Sequence, residues 1–186
     1  MSCDNGHFEA AELLLLHQAR ENARDKNNLT ALHAASKRGN ADIVSLLIRH
    51  GADVEAKDGQ FMAALHHASE GGHSAVVELL LNKKADIEMP GNDGKSPLVS
   101  AAATGAVHVV ELLLRRKASL RSRGAGEMTA LHWAAFNGCI DVVDLLLQKK
   151  AAVNAVNIDG RTAPSSCSDG RAISGRRIVV AQECCH

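Results

Sequence analysis

Apolar residues in this chain gather into short runs that return at a fixed step of 33 residues. The runs end in Leu46-Leu47, Leu79-Leu80-Leu81, Leu112-Leu113-Leu114 and Leu145-Leu146-Leu147, and a glycine in the same register precedes each: Gly39, Gly72, Gly105 and Gly138. Ahead of each glycine lies a second stretch: Thr30-Ala31-Leu32-His33-Ala34-Ala35, Ala63-Ala64-Leu65-His66-His67-Ala68, Ser96-Pro97-Leu98-Val99-Ser100-Ala101 and Thr129-Ala130-Leu131-His132-Trp133-Ala134. Two patterns in one register mark an internal repeat. Each unit reads as two short helices, pairing as 30–38 with 40–50, 63–70 with 73–83, 96–103 with 106–116 and 129–136 with 139–149. Neither helix of a unit can bury its apolar stripe alone, so stability has to come from stacking unit on unit.

The helix ends carry their own signals. Thr30 and Thr129 stand at N-cap positions, and Ser96 does the same ahead of Pro97, a residue suited to the first helical position. Ala63 cannot cap, which costs its unit roughly 1 kcal/mol. Gly51 fits a left-handed position after its helix, whereas the equivalents Gln18, Lys84, Lys117 and Lys150 adopt that geometry at a cost of about 1 kcal/mol each. Arg49, Lys83, Arg115, Arg116 and Lys149 sit at or near the last helical turn, where positive charge complements the carbonyl end of the helix dipole.

These openings resemble the ankyrin repeat, a β-turn followed by two antiparallel helices that start on Thr-Pro-Leu-His-x-Ala. The likeness covers about residues 6–161. It implies an all-α ankyrin-repeat solenoid of helix-turn-helix units joined by β-turns or hairpins, stacked in an L shape. The divisions are a partial repeat at 1–29, full repeats at 30–62, 63–95, 96–128 and 129–161, and a degenerate tail at 162–186. Leu32, Leu65, Leu98 and Leu131 occupy one repeat position. So do His33, His66 and His132, for which the resemblance implies hydrogen bonding between turns, not catalysis or metal binding.

The resemblance also implies a concave surface, built from turn tips and exposed inner-helix positions, that grips other proteins. Its candidate contacts at the tips are Arg24, Lys26, Lys57, Gln60, Met62, Asn92, Lys95, Arg123 and Met128. On the inner helices they are Lys37, Arg38, His67, Glu70, Trp133, Phe136 and Asn137. Trp133 is the only Trp, and with Phe136 three residues on it forms an aromatic anchor of the kind enriched at binding hot spots. The alternative is that Trp133 packs within the stack. Lys and Arg outnumber Asp and Glu on this side, which favours a partner of acidic or mixed charge.

Composition narrows the remaining classes. Residues are 46% hydrophobic but only 2% aromatic, so the core is built from Leu, Ala and Val in thin layers. A net charge of +0 removes the broad electrostatic case for nucleic acid or an anionic membrane. The longest apolar runs fall far short of a membrane span, and the N-terminus lacks a signal-peptide pattern. Five cysteines, Cys3, Cys139, Cys167, Cys184 and Cys185, form an odd set without metal-type spacing. The expectation is a monomeric cytoplasmic protein, the nucleus remaining open, with reduced thiols and with no metal and no cofactor.

The two ends break the pattern. Asn5 to Leu15 match the loop and second helix of a unit whose first helix is almost missing, so the chain reads as a fragment, an incomplete gene model or a stack covered by something else. After Ala163 the repeat vanishes. Permitted codons for Pro164–Gly170, shifted by one base, spell Leu-His-Leu-Ala-Ala-Thr-Gly, and those for Arg176–Cys185 spell Val-Glu-Ser-Leu-Leu-Leu-Arg-Asn-Val-Ala. Residues 164–186 therefore read as an out-of-frame fifth repeat with no reason to fold; the alternative is an unrelated tail. No phosphate loop, nucleophile elbow, zinc-binding helix or kinase set occurs. The functional expectation is a non-catalytic scaffold, with the alternative that this is the ankyrin part of a larger enzyme or channel.

Overall fold

The computed structural model describes residues 22–91 and 93–166, together with positions 8, 9, 12, 13 and 17. Four helix pairs follow one another: α1 (Ala31–Arg38) with α2 (Ala41–Arg49), α3 (Ala64–Glu70) with α4 (Ser74–Asn82), α5 (Pro97–Thr104) with α6 (Val107–Arg115), and α7 (Ala130–Phe136) with α8 (Ile140–Gln148). These are the expected pairs. The first helices form one row, α1 on α3 on α5 on α7, and the second helices form another, α2 on α4 on α6 on α8. Each pair is closed by a glycine at positive φ, with values of 77°, 73°, 78° and 71° at Gly39, Gly72, Gly105 and Gly138. At Gly39 a side chain is also excluded by space: an added Cβ would lie 2.4 Å from Nδ1 of His73.

The core repeats layer by layer. Leu32, Leu65, Leu98 and Leu131 are buried between the rows, joined by Val44, Val77, Val110 and Val143 and by Leu47, Leu80, Leu113 and Leu146. Small residues fill the remaining space, with Ala68, Ala101 and Ala134 fully buried, so neighbouring inner helices approach closely. The extended structure is confined to turns: β1 (Arg123–Gly124) pairs with β2 (Met128–Thr129) in an antiparallel hairpin, and Val156 bridges Thr162 in the next turn.

The end signals hold in detail. The Thr30, Ser96 and Thr129 side chains accept hydrogen bonds from the amides of His33, Val99 and His132, and Ala63 makes no such cap. Gly51, Lys84, Lys117 and Lys150 all adopt the left-handed conformation, with φ of 93°, 66°, 69° and 62°.

The stack carries on at its C-terminal boundary. The register continues past residue 162: Ala163 is buried and starts a short helix, α9 (Ala163–Ser166), that packs on α7. Ala163 lies 33 residues after Ala130 and fills the same place in the stack, which the small side chain allows. The rest of the tail, including Cys167, Cys184, Cys185 and His186, lies outside the described residues, as do Asn92, Gln18 and most of the half-unit before Thr30.

Candidate functional site

The three repeated histidines are built into the frame. Nδ1 of His33, His66 and His132 accepts the backbone N–H of Thr30, Ala63 and Thr129 at 3.0, 3.1 and 3.3 Å. Nε2 donates to the carbonyls of Ala56, Lys95 and Arg161 at 2.9, 3.2 and 3.1 Å. Each ring is buried and ties the start of its own helix to the next turn. Two hydrogen bonds of this polarity assign the neutral tautomer with hydrogen on Nε2. Burial lowers the pKa of all three. With both nitrogens engaged, none offers a free lone pair to a metal or a substrate.

The turns are joined to one another by side chains at a recurring position. Oδ1 of Asn22 accepts from the amide of Asp53, Oε1 of Glu55 from that of Asp86, and Oε1 of Glu88 from that of Ser119, at 2.9, 2.8 and 2.6 Å. Another position contributes arginines: Nη1 of Arg24 donates to the Lys57 carbonyl at 2.6 Å, and Nη1 of Arg123 to the Val156 carbonyl at 2.9 Å. Arg24 and Arg123, expected at the tips as contacts, are exposed there but also serve as clasps between turns.

Asp58 organises the second turn. Its Oδ1 accepts the amides of Gln60 and Met62 at 2.8 and 2.9 Å, and its Oδ2 lies 2.8 Å from Nε2 of His67. Burial raises the Asp58 pKa, but these hydrogen bonds outweigh it and hold the carboxyl below its ordinary value. His67, expected as an exposed contact, is in fact only 7% exposed, because Asp58 draws its ring inward. A helical register alone does not reveal this partner.

The other inner-helix and tip candidates divide by location. Lys26, Lys37, Arg38, Gln60, Glu70, Phe136 and Asn137 are exposed, and Lys57, Met62, Lys95, Met128 and Trp133 are half-buried. Gln60, Met62, Glu70 and Lys95 come together, lining a cleft of about 170 Å³ with Asp93 and Ser100. Lys95 ties the cleft to the last unit: its Nζ is 2.8 Å from Oδ2 of Asp93 and 4.0 Å from the centroid of Trp133. Trp133 packs partly against the core, with its ring meeting that of Phe136 edge-on at 6.4 Å. Phe136 is the exposed member, at 58%. Lys37 and Arg38 end α1, apart from this cleft, and Asn137 uses its amide nitrogen to donate to the Ala103 carbonyl at 2.8 Å.

Three functional positions escaped the sequence reading. Asp58 has a recurring equivalent in Asp25, which accepts from the amides of Asn27 and Leu29, and that repetition was a usable signal. Asp93 pairs with Lys95 two residues on in the same turn, and Ser100 meets Glu70 of the preceding unit, a contact that no local signal reveals. Cys139 is a free thiol whose pKa is raised by burial, which makes it a weak nucleophile. No helix among the described residues is long and apolar enough to cross a membrane.

A search among curated proteins found no match. A family model described as ankyrin repeats (3 copies) matches residues 1–90 and 65–157. The 33-residue register, the paired helices stacked in two rows and the histidine ladder agree with that match, and the chain belongs to the ankyrin repeat family.

Proposed function

We propose that this chain is a non-catalytic scaffold that grips a partner protein through the face formed by its turn tips and inner helices. Ankyrin repeats are generally protein-binding modules, and the finer reading rests on one observation: Phe136 stands 58% exposed beside Trp133, whose ring in turn carries the Lys95 ammonium. An exposed aromatic ring, backed by a second ring and a cation on a rigid helix, supplies apolar contact area at low entropic cost. The histidines, the features most suggestive of chemistry, are occupied by backbone groups. A partner of acidic or mixed charge suits the lysines and arginines along this face. The free, half-buried Cys139 is compatible with a reducing compartment such as the cytoplasm.

The test is alanine substitution on the full chain, read against a partner captured by it. Phe136→Ala, and the double variant with Trp133→Ala, weaken the complex by about 1–4 kcal/mol while far-UV circular dichroism stays near wild type. Loss of helicity in the Phe136→Ala variant overturns the anchor reading.

A further inference from the structure

The residue at one position of every turn has a left-handed backbone. Asn28, Phe61, Gly94, Glu127 and Gly160, each 33 residues from the next, have φ of 63°, 56°, 71°, 59° and 73°. Glycine adopts this conformation freely and asparagine with little penalty, but a bulky side chain is strained in it. Glu127 has local compensation, because Nη1 of Arg123 donates to its carbonyl at 3.1 Å and lies 3.6 Å from its carboxylate. Phe61 lacks the equivalent clasp among the described residues, since Lys57 takes the place of Arg123, and its ring is left 57% exposed.

The strain persists because the turn around Phe61 is over-determined. Asp58 Oδ1 holds the amides on either side, Phe61 N–H donates to the Asp58 carbonyl at 3.1 Å, Asp58 N–H donates to the Met62 carbonyl at 3.0 Å, and Gly59 N–H donates to the Asn27 carbonyl of the preceding turn at 3.0 Å. The left-handed backbone belongs to the repeated turn, but a large aromatic side chain there, 57% exposed and strained, is not required by packing and supports a functional reading. Its sequence neighbours, Gln60 and Met62, both line the 170 Å³ cleft. The cleft carries Glu70 and Asp93 as well as Lys95, whereas the two tips on the side of the preceding unit are net positive. On residues 24–28 and 57–61 the cations are Arg24, Lys26 and Lys57, and the exposed carboxylate is Asp25, because that of Asp58 turns inward to His67.

We propose that Phe61 is a docking side chain, and that the surface around it takes a peptide segment in which an apolar residue is flanked by Asp or Glu. This rests on the protein-binding function proposed above and names the partner chemistry at a second place on the face, separated from the unit of Phe136 by two whole units. The apolar residue packs on the Phe61 ring, and its acidic neighbours meet Lys26 and Lys57.

The experiment uses the full chain and three sets of synthetic peptides that share one apolar residue and differ in having Asp and Glu, Asn and Gln, or Lys beside it. Binding is measured by fluorescence anisotropy for wild type, Phe61→Gly and Phe61→Asn. The acidic set binds best, its affinity falls about tenfold or more in both variants, and the thermal midpoint of Phe61→Gly rises by roughly 2–4 °C as the strain is released. That rise separates lost contact from lost folding. Equal binding by wild type and Phe61→Gly, preference for the neutral or lysine set, or no binding by any set overturns the proposal. A captured partner that is lost with Phe136→Ala but retained with Phe61→Gly overturns this docking site and leaves the scaffold function standing.

Discussion

Oδ2 of Asp58 and Nε2 of His67 meet at 2.8 Å with both side chains buried, and the contact fastens a turn to the helix that follows it. The His67 ring also meets His33 of the preceding unit edge-on, with centroids 5.5 Å apart. One carboxylate thus shapes its own turn, positions a histidine and, through that ring, touches the neighbouring repeat.

Asp58→Ala removes the acceptor for two amides and leaves His67 buried without its partner, so it costs about 2–4 kcal/mol in urea unfolding. Asp58→Asn keeps the acceptor for the Gln60 and Met62 amides and costs less. The native carboxyl is held below its ordinary value, so its contribution is present above the ordinary carboxylate range and is lost as pH falls through the lowered value. Asp58→Asn removes that part of the acid dependence; an unchanged acid profile contradicts the assignment.

The histidine ladder gives a second pH dependence at higher pH. His33, His66 and His132 are neutral in the fold, and each has a pKa lowered by burial, so the unfolded chain binds more protons below the ordinary histidine value of about 6.5. Stability is therefore full above that value and declines as pH drops from it toward the lowered values. Denaturation midpoints at about pH 7.5 and about pH 5.5 bracket the effect, and His132→Gln reduces the difference between them while destabilising the chain at both.

Two repairs follow from comparing units. Ala63→Thr restores the cap present at Thr30 and Thr129 and adds about 1 kcal/mol, with Ala63 as deeply buried as those residues. Lys150→Gly relieves a left-handed lysine, φ 62°, for a gain of up to about 1 kcal/mol. Thermal unfolding of the single variants and the pair checks both values, which add because the sites lie in different units.

A seam lies before the last unit. The clasp made by Asn22, Glu55 and Glu88 falls next on Arg121, a side chain with donors only, so it cannot accept from the amide of Ala152. The unit at 129–161 consequently exchanges its amide hydrogens before the units at 63–128 do. Arg121→Glu supplies the acceptor, slows exchange at Ala152 and stabilises the array by about 1 kcal/mol; unchanged exchange at Ala152 refutes the seam.

The sequence by itself determined the helices, their pairing and their order. A 33-residue period places Leu32, Leu65, Leu98 and Leu131 in one row before any coordinate is known, because stacked units bury the same position each time. Local rules reached further than propensity: Lys84, Lys117 and Lys150 take the left-handed conformation of Gly51 since the same turn closes every helix pair. The tertiary structure alone decided which exposed-looking residues are free to touch a partner. His67 turned inward because Asp58 waits across the turn, Arg24 and Arg123 reach carbonyls one turn away, and Lys95, at the end of the unit at 63–95, caps Trp133. Those contacts join residues separated by a turn or by a whole repeat. A period shows that two units stack, but the partner of an irregular side chain depends on its neighbour's irregular side chain, and only the folded array brings the two together.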